Sequence, residues 1–231
     1  ISEAVEKAQR MAGVRVKSVV LAVGGSHVSS VNNTGMVAVS REDKEITEED
    51  VARVLEAARV INVPPDREII HVIPREFVVD GYDGIRDPVG MVGLRLEVEA
   101  HIVTGATTSL QNLLRSVYKA GLEVEDLVLG PLASAEAVLE PAEKELGVIL
   151  ADIGGGTTDI AIFRDGTLWF TSILPVGGDH VTSDMAVGLR TPIPHAERLK
   201  VESGVALVGA ARDDLFIEIP SVGGHEVRQV S

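Results

Sequence analysis

The segment from 152 to 159 contains the residue types best suited to binding phosphate, and its sequence is DIGGGTTD. Three consecutive glycines between two apolar runs let the backbone turn tightly and come close to a ligand. The amides of Gly154, Gly155 and Gly156 can therefore donate hydrogen bonds to an anion. Thr157 and Thr158 add hydroxyl groups at the same point. The segment predicts a phosphate-binding loop; the alternative is a glycine-rich hairpin that binds no ligand.

Asp152 directly precedes this loop and indicates a metal ion. A carboxylate would repel phosphate unless a cation lay between the two groups. Hydrated Mg²⁺ is the natural intermediary, because it keeps several waters when it binds carboxylates and phosphates. We therefore expect Asp152 to contact Mg²⁺ through water.

Other patterns that could support catalysis or metal binding are weaker. The absence of cysteine excludes thiolate catalysis, disulfides and cysteine-ligated zinc. The histidines lack the paired spacing of metal ligands, and no nucleophile-elbow motif is present. We assign no catalytic residue and expect structural or surface roles for the histidines, which are His27, His71, His101, His180, His195 and His225.

The composition narrows the class of protein. Apolar residues make up 45% of the 231 positions, which is enough to build a globular core. The formal net charge of -14 disfavours nucleic acid as a partner, because it repels phosphodiester backbones. No apolar run approaches the roughly 18 residues that a membrane span needs. We expect any membrane anchor to lie outside these residues.

The elements around the loop are predicted by short apolar runs and turn residues. Residues 147–152 and 159–163 are strands that flank the loop, and an Asp165-Gly166 turn leads to a third strand ending at Ile173. The polar residues 141–145 are predicted to be a linker. Downstream, Gly177-Gly178-Asp179 precedes a helix that extends to 188, and residues 194–203 form another.

Upstream, the pattern predicts a small strand-rich module followed by alternating strands and helices. A helix is expected after Thr47, whose side chain can cap it together with Asp50, and Pro64-Pro65 prevents its continuation. The other predicted elements are strands at 16–23, 28–31, 36–39, 68–79, 94–103 and 124–129, a turn at 32–35, and helices at 1–12, 109–121 and 131–139.

The loop and the downstream Gly177-Gly178-Asp179 resemble the second phosphate loop of the superfamily that contains actin, heat-shock chaperones and sugar kinases. Three further segments resemble the FtsA family within that superfamily. They are HVIPREFVVDG from His71, DGIRDPVGMVGLRLEVEAHIVTG from Asp83 and PVGGDHVTSDMAVGLRTPI from Pro175. Together the matching segments extend over nearly the whole chain, and the combination is more specific than the glycine loop alone.

The resemblance implies an α/β fold with actin-like, RNase H-like core domains and an inserted FtsA-type α+β subdomain. Residues 1–15 and 100–141 would belong to the first core domain, and 16–99 would be the insert. Residues 146–190 would form part of the second core domain, and 191–231 would begin its outer subdomain. The chain would then be an internal fragment of the family's sequence, lacking both ends.

The resemblance also implies the ligand. ATP with Mg²⁺ would bind in a cleft between two such domains, with Gly177 and Gly178 near the phosphates and Glu197 and Lys200 on the adenosine side. Gly130 occupies a position where relatives that hydrolyse ATP readily carry a polar residue. We therefore expect the intact protein to bind ATP and to hydrolyse it weakly or not at all.

The biological role implied by the resemblance is that of a cell-division adaptor. Members polymerise head to tail through the insert and link the tubulin-like protein FtsZ to the inner membrane, using a C-terminal helix. They act on the cytoplasmic face of that membrane, at the division site. The alternatives are a pilus-assembly adaptor of the same fold and a small-molecule kinase of the same superfamily.

Overall fold

A computed structural model describes residues 1–210, 217–220 and 227–230. The predicted α/β class is confirmed. The chain forms two compact units, Ile1–Asp152 with Asp159–Leu174, and Ile153–Thr158 with the part from 175 onward. His225 and part of the predicted domain at 191–231 lie outside the described residues. The α-helices are Ser2–Ala12 (α1), Glu48–Ala58 (α2), Thr107–Lys119 (α3), Gly130–Val138 (α4), Pro141–Leu146 (α5), Gly178–Leu189 (α6) and Ile193–Ser203 (α7). The strands are Ser18–Val23 (β1), Val28–Ala38 (β2), Arg67–Val79 (β3), Tyr82–Ile85 (β4), Arg95–Ala106 (β5), Glu123–Leu129 (β6), Val148–Ile153 (β7), Thr158–Arg164 (β8), Thr167–Leu174 (β9), Ile217–Pro220 (β10) and Val227–Val230 (β11).

The first unit contains a four-stranded sheet in the order β2-β5-β3-β4, in which every neighbouring pair is antiparallel. Helix α2 packs against this sheet, and their apolar side chains form one core that includes Val54, Phe77, Leu96 and Val98. Leu96 and Val98 are buried, as expected for the apolar side of an alternating strand.

Helix α2 begins where the sequence predicted. The side chain of Thr47 accepts a hydrogen bond from the Asp50 amide, and the Asp50 carboxylate accepts one from the Thr47 amide. This reciprocal capping satisfies two amides that the first helical turn leaves without partners.

Strand β2 differs from the prediction of two short strands joined by a turn at 32–35. The structure has one strand throughout Val28–Ala38, paired with β5 along its whole length. Two of the residues predicted to form the turn, Asn33 and Gly35, contact α2 instead. Asn33 donates a hydrogen bond to the carbonyl of Ala58 at the end of α2. A Cβ at Gly35 would lie 2.3 Å from the carbonyl oxygen of Val54, so glycine is needed for α2 to come this close.

A second, two-stranded sheet pairs β1 with β6 in parallel. Val23, Leu110 and Leu129 bury their side chains in a core that joins this sheet to α3. The predicted boundary at 16 assigns β1 to the insert. In the structure β1 pairs with β6, which belongs to the predicted first core domain.

The third sheet of this unit has the order β7-β8-β9. Asp165 and Gly166 connect β8 to β9 with φ of 51° and 76°, so the predicted Asp-Gly hairpin turn is confirmed. The prediction of a linker at 141–145 is wrong, because these residues belong to the short helix α5. Capping and ion pairs stabilise α5: the Glu143 carboxylate accepts a hydrogen bond from the Glu140 amide. Lys144 and Glu145 pair with side chains of other elements.

The second unit is built around α6 and α7. Thr182 and Ala186 are buried on α6, and Ala196 and Leu199 are buried on α7. Strands β10 and β11 form an antiparallel pair. Among the described residues no helix has both the length and the hydropathy of a membrane-spanning segment.

Candidate functional site

The glycine loop of residues 154–157 connects β7 to β8 and is folded back on itself by one hydrogen bond. The Gly154 amide donates to the carbonyl of Thr157 at 2.9 Å. Within the described part of the chain, the amides of Gly155, Gly156 and Thr157 donate no hydrogen bond. No atom of the described residues lies within 4 Å of the position that a Cβ of Gly156 would take. The loop therefore offers three amide donors to an anion, which is the arrangement that a phosphate site requires.

The start of α6 holds the loop in place. The amides of Gly178 and Asp179 each donate to a loop carbonyl at 2.9 Å, those of Gly154 and Gly155 respectively. The Thr158 hydroxyl donates to the carbonyl of Val176 at 2.8 Å. The sequence-predicted loop residues and the Gly177-Gly178 pair are therefore brought together in the second unit.

Gly177, the residue directly before α6, leaves no room for a side chain against the loop. A Cβ at this position would lie 2.4 Å from the carbonyl oxygen of Gly155 and 2.5 Å from that of Gly154. The Gly177 amide itself donates to Nδ1 of His180. Because the amides of both Gly177 and Gly178 are already bonded within the protein, these residues support the loop rather than offer free donors.

Glu197 and Lys200 lie on α7 and meet at the first turns of α6. Their side chains form an ion pair with 2.7 Å between Lys200 Nζ and Glu197 Oε2. Lys200 Nζ also donates to the carbonyl of Gly178 at 3.1 Å and to the hydroxyl of Thr182 at 2.8 Å. The hydrogen bond from Lys200, followed by the one from Thr182, lowers the pKa of the Glu197 carboxyl. The ammonium group of Lys200 is thus fixed to the same helical turn that supports the loop.

Thr182 is a residue of this site that the sequence did not indicate. Its hydroxyl contacts both members of the charged pair, and the residue is buried. The only signal in the sequence is its position four residues after Gly178, which places it on the same helical face.

Asp152 lies at the end of β7, in the first unit, with an exposed side chain. One of its carboxylate oxygens accepts a hydrogen bond from the Ser134 hydroxyl of α4 at 2.7 Å. The described residues contain no group of three or more acidic, histidine or cysteine side chains arranged to hold a metal. The role of Asp152 in contacting Mg²⁺ through water stays a prediction.

Asp159, at the other end of the motif, is buried in the first unit beside two glycines. Its Oδ2 atom is 3.0 Å from the position of a Cβ at Gly24 and 3.8 Å from that of a Cβ at Gly130. The missing side chains at these two positions make room for the carboxylate between the end of β1 and the start of α4.

Two family models match separate parts of the chain. The model described as the SHS2 domain inserted in FTSA matches residues 25–104, and the model described as cell division protein FtsA matches residues 149–231. The first match contains α2 and the four-stranded sheet except for the last two residues of β5, and the second contains the glycine loop with α6 and α7.

Curated proteins named cell division protein FtsA are similar to this chain over all or nearly all of its length. Cell division protein FtsA of Pseudomonas aeruginosa is 44% identical over 231 residues, which is 100% of this chain and 55% of that protein. Its namesake in Bacillus subtilis is 46% identical over 226 residues, 98% of this chain and 51% of that protein. The chain thus spans about half the length of these relatives.

A solved structure supports the fold. The PilM-PilN type IV pilus biogenesis complex matches with a TM-score of 0.61 at 20% identity, over 87% of this chain and 55% of that chain. At this identity the likeness concerns the fold alone. The predicted fold class, actin-like with an inserted FtsA-type subdomain, is confirmed. Family models and curated relatives agree, and the chain belongs to the FtsA family of actin-like cell-division proteins.

Proposed function

We propose that the glycine loop binds the phosphates of ATP, and that the chain contributes one part of the nucleotide site of an actin-like division protein. The observation that carries the proposal is the set of three loop amides, at Gly155, Gly156 and Thr157, without partners among the described residues. Because α6 fixes the loop before any ligand arrives, little further ordering is needed on binding.

Each predicted site residue has a role in this proposal. Gly154, Gly155, Gly156, Thr157 and Thr158 form the phosphate loop. Gly177 and Gly178 support it through the start of α6.

The remaining predicted residues carry charge. Lys200 brings a positive charge to α6, and it acts with Glu197 on the adenosine side of the ligand. Asp152 orients waters of Mg²⁺, which would neutralise the phosphates when bound. The Asp152 carboxylate is exposed, and one of its oxygens is bonded to Ser134. Such a carboxylate suits an indirect contact, because Mg²⁺ keeps several of its waters and needs only one or two carboxylates from the protein.

Hydrolysis is weak or absent in the proposed function. Gly130 provides no side chain that could orient an attacking water. Nucleotide binding would then act on the assembly of subunits rather than support rapid turnover.

The family name places the chain in cell division, and the finer role is a proposal. The protein polymerises head to tail through the insert at residues 16–99 and links FtsZ to the cytoplasmic face of the inner membrane. Residues 1–15 and 100–141 form part of the first core domain, 146–190 part of the second, and 191–231 the start of its outer subdomain. The pairing of β1 with β6 favours an insert that begins after β1.

A charge placed in the loop tests nucleotide binding. Gly156→Asp in the full-length protein adds a carboxylate at a position where no described residue comes within 4 Å, so the fold is kept and the phosphates are repelled. We expect MgATP to bind about tenfold more weakly or worse, because two like charges about 4 Å apart near a protein surface repel by about 4 kcal/mol, more than the roughly 1.4 kcal/mol of a tenfold change.

Two matched variants serve as controls, measured by isothermal titration. Gly156→Ala changes the size of the side chain without the charge. Gly188→Asp adds the same charge near the other end of α6, where the described part of the chain likewise places no neighbour within 4 Å of the new Cβ. Equal affinities for wild type and Gly156→Asp would contradict the proposed site.

Sedimentation tests the adaptor role. The full-length protein should carry FtsZ into the pellet with lipid vesicles, and a protein that binds ATP but leaves FtsZ in the supernatant would contradict this part of the proposal. Phosphorylation of a small metabolite by the same protein would favour a kinase instead.

A further inference from the structure

We propose that Thr182 is a positioning residue, which fixes the Glu197–Lys200 pair against the start of α6 so that the Lys200 ammonium group is held beside the phosphate loop. This inference rests on the proposed nucleotide binding. It assigns no contact between Thr182 and the ligand.

The Thr182 side chain is buried between α6 and α7, with 3% of the residue exposed. Glu197 and Lys200 are more accessible, with 47% and 24% of their side chains exposed. In the cluster formed by Thr182, Glu197 and Lys200, the hydroxyl is therefore buried, and the two charged side chains are partly accessible to solvent.

The hydroxyl bonds to both charged side chains. It donates to Glu197 Oε2 and accepts from Lys200 Nζ at 2.8 Å, while the carbonyl oxygen of Gly178 lies 3.2 Å away. A hydroxyl has one proton and two lone pairs, so it can donate to a carboxylate while it accepts from an ammonium group. Charged partners make both bonds stronger than neutral ones would be.

Without this hydroxyl, Lys200 would keep the Gly178 carbonyl as its partner on α6, whereas Glu197 would be held only by its pair with Lys200, three residues away on the same helix. Such pairs contribute little and leave long side chains free to move. The buried Thr182 hydroxyl contacts both members, so it fixes Glu197 as well as Lys200 against the neighbouring helix.

The cluster is fixed next to the loop. Lys200 Nζ donates to the Gly178 carbonyl, and it lies 3.4 Å from the position of a Cβ at Gly178. The Gly178 amide in turn donates to the carbonyl of Gly154. The peptide groups of Gly178 thus contact both the loop and the ammonium group of Lys200.

The test measures MgATP affinity of the full-length protein carrying Thr182→Val, which keeps the shape of threonine and removes the hydroxyl. We expect about tenfold weaker binding, comparable with Lys200→Ala, and affinity close to wild type for Thr182→Ser. If valine prevents folding, as judged by circular dichroism, Thr182→Ala replaces it.

A double-variant cycle separates positioning from general stability. If Thr182 acts through Lys200, Thr182→Val should cause no further loss of affinity in a Lys200→Ala protein. A loss that persists without Lys200 would overturn the inference, as would wild-type affinity for Thr182→Val.

Failure of the proposed function has a different result. Wild type would then bind no MgATP at all, and the inference would fall with it. Wild type that binds MgATP while Lys200→Ala binds equally well would overturn the inference and leave nucleotide binding intact.

Discussion

Gly177 directly precedes α6 and lies against the glycine loop. Replacement by alanine would place a Cβ 2.4 Å and 2.5 Å from the carbonyl oxygens of Gly155 and Gly154, so the loop would have to move. We expect Gly177→Ala to weaken MgATP binding by about tenfold or more, because donors displaced by about 1 Å no longer meet the phosphate oxygens.

The control for this variant lies on the same helix. The Cβ of Gly188→Ala meets no atom within 4 Å in the part of the chain that the structure describes. Alanine in place of an exposed helical glycine should stabilise the protein by up to about 1 kcal/mol. Its MgATP affinity should match wild type. Unchanged affinity in Gly177→Ala would show that the contact between α6 and the loop is not needed for binding.

The loop residues are predictable from the sequence because their types are themselves the signal. Consecutive glycines and threonines between apolar runs have few other uses. Glu197 and Lys200 came only from the resemblance, since acidic and basic residues three apart are common on helix surfaces. Thr182 was missed because a hydroxyl inside a helix carries no signature. Its importance depends on where α7 packs, which no local pattern specifies.

His101 is a buried titratable group that links the stability of the first unit to pH. Its Nδ1 lies 2.6 Å from Oδ1 of Asn32, and its Nε2 lies 2.9 Å from the hydroxyl of Thr171. Burial, helped by the positive charge of Arg75, lowers the pKa of His101 to about 4 from the ordinary 6.5. The folded protein therefore favours the neutral ring.

The unfolded chain binds a proton at His101 more readily than the folded one does. The free energy of unfolding should therefore be highest above pH 6.5 and fall as the pH drops toward 4, by about 3 kcal/mol at most from this group. Urea unfolding at several pH values checks this. His101→Gln cannot titrate, so its stability should depend less on pH in this range; an identical slope would contradict the prediction.

At the scale of elements, the contact of α2 with β2 depends on Gly35. A Cβ at this position would lie 2.3 Å from the Val54 carbonyl oxygen and 2.6 Å from the Ala58 amide nitrogen, both backbone atoms of α2 or its end. Backbone cannot rotate away as a side chain can. We expect Gly35→Ala to lower the free energy of unfolding by about 2 kcal/mol, as overpacking does elsewhere.

Urea denaturation measures this change, with Thr34→Val as the control. Thr34 is the exposed neighbour on the same strand, and valine keeps a β-branched side chain there. Its stability should stay within about 0.5 kcal/mol of wild type. A Gly35→Ala protein as stable as this control would mean that α2 can shift without cost.

Elements were predictable where the signal is local. Thr47 and Asp50 define the start of α2 by their own hydrogen bonds. The sequence predicts two strands in place of β2 because asparagine and glycine favour turns. In the structure these residues contact α2, which lies further along the chain. Helix α5 was predicted as a linker because its charged residues look solvated, and the Arg86 and Glu136 partners of Glu145 and Lys144 could not be foreseen.

At the scale of the whole molecule, the two units differ in how much apolar surface they bury. The middle of β5 is completely enclosed, with Leu96, Val98, Ala100, Ile102 and Val103 all at 0% exposure. In the second unit, α6 and α7 each bury two residues, and these are small or polar except for Leu199. The strongest core of the described chain therefore lies in the first unit, in the residues that the inserted-domain model matches.

Hydrogen exchange should reveal this difference. Local opening is easiest where few apolar contacts must break, so the amides of α7 should exchange faster than those of α2. The two helices make a matched pair because each has 11 residues. Helix α2 packs Val54 and Ala58 into the core of its sheet, and its first turn is capped by Thr47.

Mass spectrometry of the 231-residue chain in deuterated buffer measures both helices in one experiment. We expect about tenfold or greater slowing of α2 relative to α7, since each 1.4 kcal/mol of opening free energy changes the exchange rate tenfold. Gly35→Ala supplies the control, because it weakens the packing of α2 alone. It should speed exchange in α2 and leave α7 unchanged. Equal protection of the two helices in wild type would contradict the burial argument.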